Sequence, residues 1–318
     1  VLMIFFKNVS IKTILTILTI LSIVPALAIL LYTGVERRQQ IIDTATQQVS
    51  LRVKSMAEQQ REIAQSTKQI MTILSQLPDV KQLNVENVQG ILSRFIEQNT
   101  NYQNMVLIAL DGKVIASAKG RAGIDLSDRK HFKDAVLHNK FSVGEYIIPR
   151  IGLKEAAFPF AIPVLNDAGQ PIAVLATIIK LNNFSHYLDT SEVPDGSFVA
   201  ITDFMGIRLF YYPKNNDTNS LGEPIRRGNW EIASTSNGPK IFIKPGSDGK
   251  NRVFAFEPVS LPESDVPYLY VWSGIPEKLI LAPANLVMQK SLLLLSVALF
   301  IALLVIHFIG KRAILTPL

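Results

Sequence analysis

The sequence predicts an α+β fold, in which one long N-terminal helix leads into two similar modules, each built on an antiparallel sheet. Strand-and-turn patterns predict the modules, because they recur in the same order about ninety residues apart. The helix is predicted by a segment before them that lacks both glycine and proline. Two long apolar runs flank this region and predict a transmembrane helix on either side of it.

The apolar runs TILTILTILSIVPALAILLY and SLLLLSVALFIALLVIHFI contain no Asp, Glu, Lys or Arg. A helix rises about 1.5 Å per residue, so each run is long enough to cross a hydrocarbon layer of about 30 Å. A cleaved signal peptide is the alternative for the first run, because Lys7 and Lys12 form a basic leader before it. The run is longer than an ordinary signal-peptide core and has no convincing cleavage site, so we predict a retained anchor.

We predict transmembrane helices over residues 13–33 and 283–310. Lysine and arginine lie before the first and after the second, which favours cytoplasmic ends for both. Residues 34–289 are therefore expected outside the cytoplasm, and residues 1–12 form a cytoplasmic N terminus.

Residues 34–77 predict a stalk helix with one apolar seam. From residue 36 neither Gly nor Pro occurs until Pro78, which ends the helix. Seam positions recur every three or four residues and are Ile42, Ala45, Val49, Val53, Met56, Ile63, Ile70, Leu74 and Leu77, with Gln60 and Thr67 filling two steps. Such a seam packs on its own modules or on the same helix of a second copy, and near the membrane only a second copy is at hand. We therefore expect a symmetric homodimer.

The region after the stalk helix predicts two copies of one antiparallel sheet unit. Each copy starts with a short strand pair, NMVLIALDGKVIASA in the first and SFVAITDFMGIRLFYYP in the second. A helical or irregular insert follows in each, at residues 128–138 and 221–234. A longer strand pair completes each copy, at residues 156–181 and 252–276.

These copies predict two modules in chain order. The first, membrane-distal module is placed at residues 78–190, and the second, membrane-proximal module at residues 191–282. The segment NNFSHYLD (182–189) is expected to connect them.

Composition and motifs exclude several classes of function. The chain has no cysteine, which excludes disulfides, structural thiolate metal sites and thiol catalysis. Its net charge of +6 is spread thinly, without the basic run typical of nucleic-acid-binding proteins, so no nucleic-acid partner is expected. No His-x-x-x-His, Gly-x-Ser-x-Gly or Walker sequence occurs, and we predict no catalytic residue, no metal and no cofactor.

The sequence DRKHF places three basic side chains at the start of a short predicted helix. Cations are unfavourable there by a few tenths to about 1 kcal/mol each, because a helix N terminus is itself positive. An anion would compensate them, since free backbone N–H groups bind it and Arg129 can hold a carboxylate with two bonds. The alternative is that Asp125 and Asp128 neutralise the cations, with Asp128 or Ser127 as the N-cap and the lysines in solvent.

The order of elements resembles the double Cache family of extracytoplasmic sensor domains. The resemblance rests on DLSDRKHFKDAV before FSVGEYIIPR, on FPFAIPVLNDAGQPIAVLATIIKL and on PDGSFVAITDFMGIRL, and it covers about residues 36–276. It implies the ligand-sensing region of a multi-pass receptor in the bacterial inner membrane. The last residues, GKRAILTPL, resemble the start of a HAMP linker at residues 311–318, so we expect a cytoplasmic output domain to follow.

The resemblance implies several outputs, of which we predict a sensor histidine kinase. A methyl-accepting chemotaxis transducer and a diguanylate cyclase are the alternatives. An alternative of another class is a membrane-anchored ectoenzyme or assembly protein, and it requires a catalytic constellation or a scaffolding surface in the modules.

The resemblance also indicates a ligand site in the distal module. Family members that bind amino acids hold the carboxylate with an Arg-x-Trp-Tyr pattern; here Arg129 matches, while His131 and Phe132 replace Trp and Tyr. The later Asp that binds the ammonium group in those members aligns near Ile178. We therefore predict a small carboxylate or another polar metabolite as the ligand, and not an α-amino acid.

Further candidate ligand-binding residues lie on the strands and the loop that are expected to face the motif helix. They are Tyr146, Arg150, Phe158, Phe160 and Lys180. For the aromatic residues the alternative is the sheet core, because Phe at alternate strand positions normally fills the buried face.

Overall fold

The computed structural model describes residues 11–181, 193–214, 219–236, 238–246 and 248–315. The predicted connector at 182–189 lies outside the described residues, as do residues 1–10 of the predicted N terminus and 316–318 of the predicted linker.

The described helices and strands follow the predicted order. The helices are α1 (Ile11–Ser75), α2 (Pro78–Lys81), α3 (Val85–Gln98), α4 (Lys130–His138), α5 (Arg227–Ser234) and α6 (Glu277–Leu315). The strands are β1 (Tyr102–Ala109), β2 (Val114–Ser117), β3 (Ser142–Val143), β4 (Ala157–Leu165), β5 (Pro171–Lys180), β6 (Phe198–Asp203), β7 (Arg208–Tyr212), β8 (Lys240–Pro245), β9 (Asn251–Ser260) and β10 (Pro267–Pro276).

One compact unit consists of α1 up to Ala45 and of α6. Both helices contain a segment that is long and apolar enough to cross a membrane. Their apolar side chains are largely exposed, as in Leu21 and Leu294, which is what a lipid-facing surface requires. Within this unit α1 and α6 approach closely at Gly34, where an added Cβ would lie 3.1 Å from the Met288 sulfur.

The second compact unit comprises residues 46–276 and holds both sheets. The predicted seam of α1 is buried in this unit over its central part, at Val49, Val53, Met56, Gln60 and Thr67. Ala64 and Met71 are buried next to the predicted positions Ile63 and Ile70, which are only half-buried. Over this length the seam packs on the protein's own modules, which is the first of the two alternatives for it. This part of the seam is therefore not available to a second copy, and the predicted homodimer has to form through another surface.

Two tyrosines tie α1 to the modules. The Tyr102 hydroxyl of β1 lies 3.1 Å from the Thr67 hydroxyl oxygen, and the Tyr268 hydroxyl of β10 donates a hydrogen bond of 3.1 Å to the Gln60 carbonyl oxygen. Burial raises the pKa of both phenols, so they stay protonated at physiological pH. One helix thus contacts both sheets through buried hydroxyl groups.

The two sheets have the same topology, which confirms the predicted α+β fold with two antiparallel-sheet modules. The first module, described over residues 78–181, has the strand order β2-β1-β5-β4-β3, and the second, described between residues 193 and 276, has the order β7-β6-β10-β9-β8. All paired strands are antiparallel. Strands β1, β2, β4 and β5 therefore correspond to β6, β7, β9 and β10.

The repeat extends to the loops that lead into α4 and α5. The Leu126 N–H donates to the Gly112 carbonyl at 2.8 Å, and the Ile225 N–H donates to the Gly206 carbonyl at 2.9 Å. Both glycines have positive φ, at +88° and +82°, a conformation that side chains disfavour. Each glycine allows the incoming loop to lie directly on a β-turn, and this contact sets where the following helix begins.

We expect Gly112→Ala to destabilise the protein by about 1–3 kcal/mol more than Gly169→Ala. Both positions have positive φ, at +88° and +77°, so both substitutions strain the backbone. At Gly112 the added Cβ would also overlap with Ser127, because it would lie 2.6 Å from the Ser127 Cα. At Gly169 no atom lies within 4 Å of the added Cβ. Urea unfolding of purified residues 36–276 measures both losses. Equal losses would show that the Ser127 loop moves aside without cost.

Candidate functional site

Helix α4 carries the basic motif and begins at Lys130, with Arg129 as its N-cap residue. The Arg129 side chain makes no capping bond. The alternative in which Asp128 or Ser127 caps this helix is therefore wrong, because both residues precede the cap position. With no side chain bonded to the first turn, its backbone N–H groups remain available to an anion.

Asp128 instead holds Arg150. The two side chains form a two-pronged ion pair, with Nη1–Oδ1 and Nη2–Oδ2 distances of 2.6 and 2.8 Å, and Arg150 also donates to the Asp125 carbonyl oxygen at 2.8 Å. The Arg150 hydrogen bond lowers the pKa of Asp128. Because this carboxylate is engaged with Arg150, it does not neutralise Arg129 by a direct contact.

A cleft lies between the start of α4, the segment 147–151, and strands β1 and β5. It holds about 410 Å³ of space that is not occupied by protein atoms, and part of this space is open to solvent. It is lined by Asn104, Val106, Leu126, Arg129, His131, Ile147, Pro149, Arg150, Ile151, Ala176, Thr177 and Ile178. Most of these side chains are apolar, and among the described residues of the lining none is acidic.

Arg129 is the cation of the cleft that lacks a direct partner. Its buried Nε has no hydrogen-bond partner, and its guanidinium forms no ion pair within the part of the chain that the structure describes. Burial, and next the charge of Arg150, lower the pKa of Arg129, whereas the charges of Asp128 and Glu145 raise it; a guanidinium stays protonated at any physiological pH. A ligand carboxylate would supply the direct partner.

His131 lies beside Arg129 with only 4% of its surface exposed. Burial, assisted by the charge of Arg129, lowers the pKa of His131 to about 3. The imidazole is therefore neutral at pH 7 and offers one donor and one acceptor. None of the described residues forms a hydrogen bond with the ring, which packs so close to Gly144 that an added Cβ there would lie 3.1 Å from Nδ1.

Three of the eight predicted ligand-binding residues, Arg129, His131 and Arg150, line this cleft. Phe158 and Phe160 lie on the opposite face of β4. Ala161 pairs with Ala176, which lines the cleft, and side chains alternate between the faces of a strand, so the phenylalanines point away. Phe158 packs instead against Tyr268, with 6.3 Å between ring centroids.

The other three predicted residues also lie outside the lining. Phe132 is 5% exposed and belongs to the core under α4. The Tyr146 ring packs on Gly222 of the second module, where an added Cβ would lie 2.7 Å from Cζ. Lys180 is the last residue of β5. For these three and for the two phenylalanines, ligand contact stays a prediction.

The sequence analysis missed the polar floor of the cleft. The Asn104 amide donates to the Lys119 carbonyl oxygen at 2.9 Å and accepts from the Lys119 N–H at 3.0 Å, and the Thr177 hydroxyl donates to the Asn104 carbonyl oxygen at 2.9 Å. An asparagine inside the apolar strand NMVLIA was the available signal. Since these groups satisfy each other, the floor leaves recognition to Arg129 and His131.

One wall of the cleft is bonded to the second module. The wall segment 147–151 follows Tyr146, whose backbone N–H donates to the Asp203 carboxylate at 3.2 Å. Asp203 is fully buried and also accepts from the Met205 and Ile207 N–H groups at 2.9 Å each. Burial raises the pKa of Asp203 despite these bonds. The carboxylate thus links the wall to the β6–β7 turn.

Comparisons with solved structures find the same fold in bacterial sensor domains. The periplasmic sensory domain of the Campylobacter jejuni chemoreceptor Tlp1 is similar over 76% of this chain and 99% of that domain, with 13% identity and a TM-score of 0.58. The ligand-binding domain of the Pseudomonas fluorescens chemoreceptor CtaA, solved with L-isoleucine, is similar over 77% of this chain and 98% of that domain, with 15% identity and a TM-score of 0.59.

The extracellular domain of rpHK1S-Z16, named as a candidate histidine kinase, is similar over 76% of this chain and 98% of that domain, with 15% identity and a TM-score of 0.61. No curated protein sequence matches the chain significantly. The family model dCache_1, described as a Cache domain, matches residues 37–284. The match spans both sheets and α1 from residue 37 onward, and the chain therefore belongs to the double Cache family of sensor domains.

Proposed function

We propose that this chain is the extracytoplasmic sensing region of a bacterial membrane receptor and that the cleft of its first module binds a small aliphatic carboxylate. One observation carries the choice of ligand: Arg129 lies in a mostly apolar cleft, and its buried Nε has no hydrogen-bond partner. A charge-assisted hydrogen bond contributes about 1.5–3 kcal/mol, so a carboxylate has a specific reason to bind there.

Family membership and the two flanking apolar helices support the role in sensing. The similar domains come from chemoreceptors and from a candidate histidine kinase, and the CtaA domain was solved with L-isoleucine. The histidine kinase output and the homodimer stay predictions.

The ligand is proposed to lack an ammonium group. An amino acid brings a cation as well as a carboxylate, and a buried cation needs an acidic partner. Ile178 occupies the cleft where the resemblance places that partner, and the described lining holds no acidic side chain. A branched or straight-chain fatty acid satisfies Arg129 and covers the aliphatic walls without leaving a charge unpaired.

Signal transfer is proposed to run through the wall of the cleft. A ligand shifts a conformational equilibrium only by its difference in affinity for the two states. The wall segment 147–151 contacts the cleft and follows the Tyr146–Asp203 bond to the second module. A wall that moves on ligand binding would displace the β6–β7 turn with it.

The test compares isovalerate with L-valine, which have the same carbon skeleton and differ only by the ammonium group. We expect isovalerate to bind purified residues 36–276 in isothermal titration calorimetry, and L-valine to bind at least roughly 10-fold more weakly. Arg129→Gln is expected to weaken isovalerate binding by roughly 10- to 100-fold. Lys133→Gln is the matched control, because Lys133 lies exposed on the same helix and outside the cleft lining.

Two outcomes contradict the proposal. Tighter binding of L-valine than of isovalerate would assign the cleft to amino acids. Equal isovalerate affinity in Arg129→Gln and Lys133→Gln would remove Arg129 from the site.

A further inference from the structure

The second module contains a cleft at the place that corresponds to the cleft of the first. It lies between the start of α5 and strands β6, β9 and β10, and it holds about 460 Å³ of empty space. Arg226 is the N-cap residue of α5, and Arg129 is the N-cap residue of α4, so the two arginines occupy corresponding positions. The described lining comprises Phe198, Ala200, Arg208, Tyr211, Asn219, Ile225, Arg226, Asn229, Gly246, Asp248, Arg252, Phe254 and Trp272.

The cleft carries an excess of positive charge. Arg208, Arg226 and Arg252 line it, and Asp248 is the acidic residue among the described lining. Arg252 is 8% exposed and pairs with Asp248 through two bonds, one of them 2.9 Å long. The Arg252 hydrogen bonds lower the pKa of Asp248, so this carboxylate is ionised and compensates Arg252. Arg226 donates to the neutral Gly246 carbonyl oxygen at 2.8 Å, and its charge favours an anionic ligand.

One buried polar atom in the lining, the Nε of Arg252, has no hydrogen-bond partner. Leaving a buried polar group unsatisfied is unfavourable. A ligand oxygen in the cleft would accept a hydrogen bond from this nitrogen. The Asn229 side chain, which is 6% exposed, also lies in the lining.

Aromatic rings form the apolar part of this lining. Phe198 and Tyr211 stack with 5.3 Å between centroids and 10° between ring planes, and Phe198 meets Phe254 edge to face at 5.6 Å. The Trp272 indole lies in the lining with its N–H bonded to the Thr202 hydroxyl at 3.1 Å, so its polar atom is already satisfied. Stacked and edge-on rings favour a flat aromatic ligand, whereas the walls of the first cleft are aliphatic.

We propose that the second module has its own ligand site, which binds a small aromatic carboxylate. Arg226, the Asn229 amide and the Arg252 Nε hold the carboxylate, and the aromatic rings enclose the flat body of the ligand. This site is separate from the cleft of the first module and differs from it in chemistry. The chain would then bind two classes of organic acid, an aliphatic one in the first module and an aromatic one in the second.

The test uses benzoate as the probe and the full chain purified in detergent. We expect benzoate to bind in calorimetry and to quench tryptophan emission, because Trp272 lines the cleft and the only other tryptophan, Trp230, lies on α5. Arg226→Gln is expected to weaken benzoate binding by roughly 10-fold. Arg227→Gln is the matched control, since Arg227 is 93% exposed, pairs with Glu231 and lies outside the lining.

The first module provides the second comparison. Arg129→Gln is expected to leave benzoate binding unchanged, and isovalerate is expected to leave tryptophan emission unchanged. Loss of benzoate binding in Arg129→Gln would place benzoate in the first cleft and overturn the inference. Equal affinity in Arg226→Gln and Arg227→Gln, or no binding of benzoate to the unmodified chain, would overturn it as well. None of these three results bears on isovalerate binding in the first module.

Discussion

Lowering the pH from 7 to 4 is expected to remove about 3 kcal/mol from the free energy of unfolding of residues 36–276 through His131 alone. Burial lowers the pKa of His131 to about 3 in the folded protein, whereas an unfolded histidine titrates near 6.5. The unfolded state therefore binds the proton first. The stabilisation is fully present above pH 6.5 and is lost progressively as the pH falls toward 3.

The charged groups around His131 act in both directions. Arg129 and Lys130 lower the pKa of the imidazole, while Asp134 and Asp128 raise it, and burial exceeds all of them. Arg150 holds the pKa of Asp128 below its usual range near 4. Burial raises the pKa of Asp203, so its contribution in this interval has the opposite sign, and the loss between pH 6.5 and 4 is assigned to His131.

Urea unfolding at several pH values measures this effect. His131→Asn keeps a neutral polar side chain and should flatten the pH dependence between 4 and 6.5. His138→Asn is the matched control, because His138 lies exposed near the end of the same helix, and its profile should follow that of the unmodified protein. If His131→Asn retained the full loss, the imidazole would already be protonated in the folded state.

Replacing Phe256 with alanine is expected to lower the free energy of unfolding by about 3–5 kcal/mol. The ring is fully buried at the centre of the second sheet, with ring centroids 5.1 Å from Trp272 and 6.2 Å from Tyr270. The substitution removes this apolar surface and leaves a cavity, because rings held on β10 cannot all move in to fill it.

Chemical unfolding of residues 36–276 measures the loss, and Leu137→Ala is the control. Leu137 is 76% exposed on α4, so its truncation should change stability by no more than about 0.5 kcal/mol. A loss below about 1 kcal/mol for Phe256→Ala would mean that the second core collapses around the gap.

The fold was largely predictable because the spacing of apolar residues along the sequence identifies each helix and strand locally. Alternating strands around Asp-Gly and Met-Gly turns identified both sheets, and spacing by threes and fours identified α1. Helix α3 was not singled out from the sequence, although the Asn84 side chain caps it and its buried residues Val88, Leu92 and Ile96 are four apart. The ranges 13–33 and 34–77 were predicted as two helices in succession, and both lie in α1, which runs from Ile11 to Ser75.

The site was predictable only where a local anomaly marked it. Three cations at a helix start pointed to Arg129, which the structure places in a cleft. The orientation of Phe158 and Phe160 depends instead on the register of β4 against β5, which a shift by one residue would reverse. The pairing of Arg150 with Asp128 joins a helix start to a loop 22 residues away, and such contacts follow from the tertiary fold.

The two tyrosine bonds to α1 bear on how movement can pass along the helix. Their partners, Gln60 and Thr67, are seven residues apart, which is about two turns and about 10 Å. One partner is a backbone carbonyl oxygen bonded to the second sheet, and the other is a side-chain hydroxyl bonded to the first. A rotation or a slide of this stretch of α1 would therefore disturb its bonds to both sheets.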